Sequence, residues 1–274
     1  MIWGMTTGGW MGGLYNGADD PQKAQLELMA GHDLHVTTWR AGELLEMDPA
    51  RRDELAGLAE QFGVRIGLGI GLNPFVDDPD EIERAQQRAL EAVRTLAPMF
   101  RSPVCTGGLR HDSFTRDPAV EEQICRASEA WAPVAEAAAE AGCPVGLHNA
   151  GHYCSDLAEL CRRTPGLGIL FDTANPWLAG ERPVRAARDA APHAVGTHFK
   201  DHYVWPNKKA RPLCLEMRGA LIGSGDAGIA EIYRILAAEA PRPGRMAMMM
   251  EIDPVEGMQQ HEALAACCEY VKSL

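Results

Sequence analysis

The chain has no excess of basic residues, no CxxC pair, no standard phosphate-binding loop and no long apolar run. Each absence excludes a class of protein. With 26 Lys and Arg against 38 Asp and Glu, the net charge is −12. A nucleic-acid partner is therefore not expected, because phosphate binding depends on neutralisation by Lys and Arg. The eight cysteines are scattered and Cys267 and Cys268 are adjacent, which suits neither a zinc clamp nor a disulfide framework. They read as small core fillers in a cytoplasmic protein. The apolar runs fall well short of the roughly 18 residues a membrane span needs, so no membrane partner is expected. Met1-Ile2-Trp3-Gly4-Met5 carries no basic stretch followed by an apolar one, so no signal peptide is expected. Gly8-Gly9-Trp10-Met11-Gly12-Gly13 is glycine-rich but fits neither dinucleotide nor P-loop spacing, which counts against a doubly wound open sheet.

What is present is a rhythm of strand and helix patterns. Short apolar strands are predicted near residues 2–7, 34–39, 64–70, 103–107, 144–149, 168–172, 194–199 and 245–252. Amphipathic helices are predicted near 20–30, 49–62, 79–96, 118–141, 156–163, 182–190, 229–239 and 257–272. Asp48-Pro49 and Asp117-Pro118 place a capping acid before a first-turn proline, and Gly63 and Gly142 mark helix ends. The strands are apolar on both faces, as when protein covers both sides. Eight such units in 274 residues predict an α/β fold, a single (β/α)8 TIM barrel over 1–274. The long segment 202–224 after strand seven reads as a loop or lid over a binding site.

Three strands stop on metal-friendly side chains: Asp172, His198 and Glu251. Barrel active sites sit at the carboxyl ends of strands, so these groups can converge with others placed there: Trp39, Arg40, His148, Asn149, Asn175 and Lys200. Two acids, two imidazoles and two cations at one mouth point to a divalent-cation site. Lys200 follows His198 by two, which puts both on one side of a continuing strand and makes Lys200 either a substrate contact or a surface group. Trp10, Trp39 and Trp177 suit either sugar stacking or core filling, and Met246 to Met250 reads as a buried strand.

The segments Phe171-Asp172-Thr173-Ala174-Asn175, Thr197-His198-Phe199-Lys200-Asp201 and Gly223-Ser224-Gly225-Asp226, with the strand ending in Glu251, resemble the xylose isomerase-like family of sugar-phosphate isomerases and epimerases. The resemblance implies one divalent metal, manganese first, with zinc, cobalt or iron as alternatives. It also implies Glu, Asp, His and Glu ligands from strands five to eight. Asp172, His198 and Glu251 match that pattern, but His148 stands where the first Glu is expected. His148 is then a fourth ligand, a general base or a structural group; a nitrogen ligand would soften the site. Glu251 is the first candidate for proton transfer, with His148 or His152 for the second role. Trp39, Arg40, Asn175, Lys200 and Arg218 are the substrate-binding candidates, Arg218 reaching in from the long segment.

The activity implied is isomerisation or epimerisation of a small sugar or keto-sugar through an enediolate. The alternative is a lyase or dehydratase that eliminates a β-leaving group from a keto-sugar, 3-oxo-glycoside or inosose, motivated by the missing Glu. The partner is then a small carbohydrate, and relatives suggest a homo-oligomer. Endonucleases of the superfamily use a three-zinc cluster, but here strands three and four end in Gly69-Ile70-Gly71 and Gly107-Gly108, which supply no ligands.

Overall fold

The computed structural model describes residues 1–109, 118–210 and 214–274. The strands are β1 (Ile2–Met5), β2 (Val36–Arg40), β3 (Arg65–Gly69), β4 (Cys105–Gly108), β5 (Val145–His148), β6 (Leu167–Asp172), β7 (Ala194–Phe199), β8 (Asp201–Asn207), β9 (Cys214–Ala220) and β10 (Ala247–Met250). Eight of them close a parallel barrel in the order β1-β2-β3-β4-β5-β6-β7-β10, with β10 paired back to β1. The helices are α1 (Pro21–Gly31), α2 (Ala41–Glu46), α3 (Pro49–Gln61), α4 (Pro79–Met99), α5 (Val120–Glu140), α6 (Cys154–Arg163), α7 (Pro176–Ala179), α8 (Pro183–Ala190), α9 (Ile229–Glu239) and α10 (Gln260–Lys272). This is the predicted (β/α)8 barrel. No helix among the described residues is long and apolar enough to cross a membrane.

Local chemistry explains the helix boundaries. Asp20, Asp48 and Asp78 each precede a proline and accept first-turn N–H groups, from Lys23, from Ala50 and Arg51, and from Asp80. Gly63 and Gly142 follow α3 and α5 with φ of 67° and 70°, a left-handed turn that side chains resist. Asp117, expected to cap α5, lies outside the described residues.

Period-2 alternation divides the core into two clusters. Val36, Val104, Leu170, Ala247 and Met249 fill the barrel interior. Met248 and Met250 belong to the larger cluster between barrel and helices, so β10 is a strand buried on both faces. Six cysteines are buried and Cys125 and Cys214 are exposed, all as free thiols.

One difference from expectation concerns the segment after β7. Instead of an irregular loop it forms an antiparallel hairpin, β8 with β9, in register from Asp201↔Ala220 to Asn207↔Cys214. Alternating residues such as Val204 and Met217 pair across it, and the polar stretch after Asn207 lies at its turn end.

Candidate active site at the carboxyl ends of the strands

Parallel register sets the site. Asp172, last in β6, stands opposite His198 of β7, and His198 stands opposite Met249 of β10. Glu251 follows β10 directly, its N–H donating to the Phe199 carbonyl at 3.2 Å. His148 ends β5 beside β6. One ligand atom each from His148, Asp172 and His198 lie within 4.8 Å of one another. The two imidazole rings sit 4.6 Å apart, centre to centre. Glu251 joins them, with Oε2 3.1 Å from His198 Nδ1.

Lys200 ties the two carboxylates together. Its Nζ lies 2.9 Å from Asp172 Oδ2 and 3.1 Å from Glu251 Oε1, and it is buried. Asp172 Oδ2 also faces His148 Nε2 at 3.2 Å, while Oδ1 accepts the N–H groups of Ala174 and Asn175 at 2.9 and 2.8 Å. Burial alone would raise the Asp172 carboxyl, but His148 and the Lys200 charge outweigh it and hold the group well below the usual range. Glu251 behaves alike: burial opposes ionisation, yet His198 and Lys200 bring its pKa down to about 2. The Lys200 ammonium is held above its ordinary value because two carboxylates override its desolvation. For His198 burial wins over the attraction of Glu251, lowering its pKa and favouring the neutral ring.

Neighbouring side chains fix these groups. Asn149 donates to the Asp172 carbonyl at 3.1 Å and accepts the Asp172 N–H at 2.6 Å, locking the ends of β5 and β6. The Thr173 hydroxyl donates to the Lys200 carbonyl at 2.5 Å and accepts its N–H at 2.8 Å, locking β6 to β7. Asp201, the acid of the His198-to-Asp201 motif, points away from the cluster. It accepts the N–H groups of His202, Gly223, Gly225 and Ala227 and so holds the turn before α9. Sequence reasoning placed Asn149 among the strand-end candidates without a specific role and assigned Thr173 and Asp201 none, although all three lie within or beside the motifs that carried the resemblance.

The other candidates fall in different places. Asn175 is buried, and its Nδ2 lies 3.4 Å from His148 Nε2, so it steadies the cluster from below. Arg40 is at the mouth and exposed, paired with Glu43 at 3.0 Å. Trp39 has the opposite parity. Its ring packs edge-on to Phe100 and its Nε1 donates to Gln25 Oε1 at 2.9 Å, within the layer between barrel and helices. His152 faces Gln123 Oε1 at 3.2 Å on α5 and is not among the clustered groups. Arg218, on β9, lies over Trp205 and pairs with Glu256 at 3.0 Å. A second tie, His202 to Asp253 at 2.7 Å, also holds the hairpin to the segment after β10.

A cleft of about 810 Å³ opens over the mouth, with His148 and His198 in its lining. A separate cavity of about 570 Å³, beside Gly63, Phe100 and Arg245, lies at the opposite end of the barrel and holds none of these groups.

The chain can be placed among known proteins. Its fold is similar to that of D-psicose 3-epimerase from Clostridium cellulolyticum H10, with TM-score 0.75 and 16% identity, covering 100% of this chain and 98% of that one. A xylose isomerase-like TIM barrel protein from Mycobacterium smegmatis, in complex with magnesium, gives 0.72 and 14% over 99% and 94%. 3-Keto-D-glucoside 4-epimerase from E. coli gives 0.72 and 11% over 100% of both chains. At these identities the likeness is one of fold. No curated protein sequence matches the chain. The family model described as xylose isomerase-like TIM barrel matches residues 26–266, nearly the whole barrel. The chain therefore belongs to the xylose isomerase-like TIM barrel family.

Proposed function

We propose that this protein is a divalent-metal-dependent isomerase or epimerase of a small sugar or keto-sugar. The observation that carries the reading is the convergence of His148, Asp172 and His198 within 4.8 Å at the floor of the mouth. The donors suit a metal. Asp172 is ionised, His198 favours its neutral form, and His198 Nδ1 is buried without an aligned hydrogen-bond partner. Glu251 is the fourth candidate ligand. Two imidazoles soften the set, favouring zinc, cobalt or iron more than an all-oxygen site would, with manganese still compatible. A bound divalent ion would supply Lewis-acid stabilisation of negative charge on a substrate oxygen.

The chain's own groups supply the rest. Glu251 is ionised at neutral pH and takes the proton from the carbon beside the substrate carbonyl. Lys200, between both carboxylates, keeps Glu251 oriented and offers an N–H to a substrate oxygen. His148 faces Asp172 from the other side as the second candidate nitrogen ligand, and Glu251, once protonated, returns the proton to the neighbouring carbon. Named relatives in fold that are sugar epimerases support a carbohydrate substrate.

The test is wash-in of solvent deuterium at the carbon beside the carbonyl of a panel of keto-sugars, with metal-loaded protein. Exchange that disappears with chelator and in Asp172→Ala is expected. Absence of exchange throughout, in a metal-loaded sample, would overturn the reading. A second reading, β-elimination, is favoured by the site's asymmetry, because His148 occupies the place of the second carboxylate. There Glu251 removes the α-proton and, once protonated, passes it to the leaving β-substituent, and an unsaturated, ultraviolet-absorbing ketone remains. A product of unchanged mass rules it out.

A further inference from the structure

The amino end of the barrel carries charge opposite in sign to that of the chain as a whole. The net charge is −12, yet the cavity of about 570 Å³ at that end is lined by Arg65, Arg101 and Arg245 against a single acid, Glu60. A smaller cavity of about 240 Å³ shares Gly142 and Arg245 with it and adds Arg242 and His193. Among the described residues Arg65, Arg242 and Arg245 form no hydrogen bond or ion pair. Arg101 reaches Glu60 at 2.5 Å, but both side chains are exposed, so that pair contributes little.

The helix ends at the cavity do not consume these arginines. α3, α4 and α5 all finish there, and a basic side chain near a helix C-terminus commonly serves the last carbonyls. Here the turns serve them instead. After α3 the N–H groups of Phe62, Gly63 and Val64 donate to the carbonyls of Leu58, Glu60 and Ala59, and the turns after α4 and α5 repeat the pattern. The donors of Arg65 and Arg245 stay free.

Arg101 is held in a strained conformation. The middle residue of these turns has a left-handed φ: 67° at Gly63, 70° at Gly142 and, after α1, 61° at Asp33. Glycine adopts it freely and aspartate tolerates it. The turn after α4 instead places Arg101 there, with φ 49°, where a long side chain gains nothing locally to offset the crowding of its Cβ. A strained residue kept on a cavity wall points to a use for its side chain.

From the free guanidinium groups and the strained one, we infer that this cavity binds a phosphorylated small molecule, at a site separate from the barrel mouth and independent of the activity proposed above. Arg65, Arg101 and Arg245 receive the phosphates, since a guanidinium presents the forked N–H donors that phosphate oxygens accept. The organic part lies against Ala56, Pro98 and Met99 on the same wall. The volume falls within the ~300–1,000 Å³ typical of small-molecule sites.

The experiment measures binding of pyrophosphate, ADP and uncharged adenosine to the full chain by calorimetry. Chelator is present, so no metal at the mouth can recruit the anion, and ionic strength is low. Saturable binding of both anions, tighter for ADP, is expected. Arg65→Ala and Arg245→Ala should each weaken both by about tenfold or more, the scale of one charge-assisted hydrogen bond. Arg101→Gly should weaken them similarly while raising Tm by roughly 2 °C, because glycine suits that φ. No saturable anion binding, adenosine bound as tightly as ADP, or affinities untouched by all three variants would overturn the inference. A lower Tm in Arg101→Gly would overturn it too, by showing that arginine serves stability there. Anion affinity lost in Lys200→Met instead would place the ligand at the mouth. ADP no tighter than pyrophosphate would overturn the organic part in favour of a free phosphate anion.

Discussion

Replacing Lys200 by methionine should destabilise the metal-free protein and strengthen its hold on a divalent metal. The stem is nearly preserved, so packing changes little, but the charge shared by Asp172 Oδ2 at 2.9 Å and Glu251 Oε1 at 3.1 Å is lost. At ~3 Å and an effective dielectric of about 20, each attraction is worth about 5 kcal/mol before desolvation is counted. Removing one partner of such a buried set typically costs about 3–5 kcal/mol net, because the remaining charges are left uncompensated. For a chain of this size that corresponds to a fall in Tm of roughly 10 °C. The same substitution removes the ammonium that competes with a metal for Asp172 Oδ2, so affinity should rise by about tenfold or more, equivalent to ~1.4 kcal/mol. Thermal denaturation in chelator, repeated with saturating zinc or manganese, reads both effects: the deficit appears in chelator and shrinks with metal. Turnover should fall, since Glu251 loses the partner that orients it. A variant with unchanged Tm in chelator and unchanged metal affinity would refute the bridging role of Lys200.

Thr173→Val should cost about 1–3 kcal/mol by leaving the Lys200 N–H and carbonyl without their shared hydroxyl, read as a lowered urea midpoint; an unchanged midpoint would remove the clamp from the account. In chelator, stability should decline as pH falls below about 6.5, because the unfolded chain takes a proton that buried His198 resists. It should decline further from about pH 4.3 to about 2, as unfolded Glu251 protonates before the folded group, whose pKa is about 2. A flat profile from pH 7 to 5 would contradict the His198 assignment. His148→Glu should retain metal and shift preference toward manganese or magnesium if His148 is a ligand. If it is instead the base, the variant should bind metal but lose about 10²-fold or more in turnover.

Much of this was legible in the sequence because barrel physics is local. Successive apolar strands that end at or beside Asp172, His198 and Glu251 become neighbours once the chain closes a parallel barrel, and the register brings these side chains together. What sequence could not give was direction. Trp39 and Arg40 are adjacent at one strand end, and only the pleat decides that the indole turns to Gln25 and Phe100 while the guanidinium reaches the mouth. His152 sits four residues past His148, beyond the strand, where no periodicity dictates its turn toward Gln123. The hairpin was hidden because its strands carry few apolar residues on one face and are joined by a polar stretch. Arg218 consequently pairs with Glu256, a contact set by tertiary docking. Lys200 was placed on the right side by its spacing from His198, but its bridging of two carboxylates depends on distances no spacing supplies.

The central claim, a metal held by two imidazoles and a carboxylate, is tested most directly by X-ray absorption on the zinc-loaded protein. The account predicts two imidazole ligands, from His148 and His198, at the usual ~2.0–2.1 Å, with oxygen completing the shell, and one imidazole fewer in His148→Ala. Zinc with one imidazole or none in the wild type, or a spectrum unchanged in His148→Ala, would contradict it.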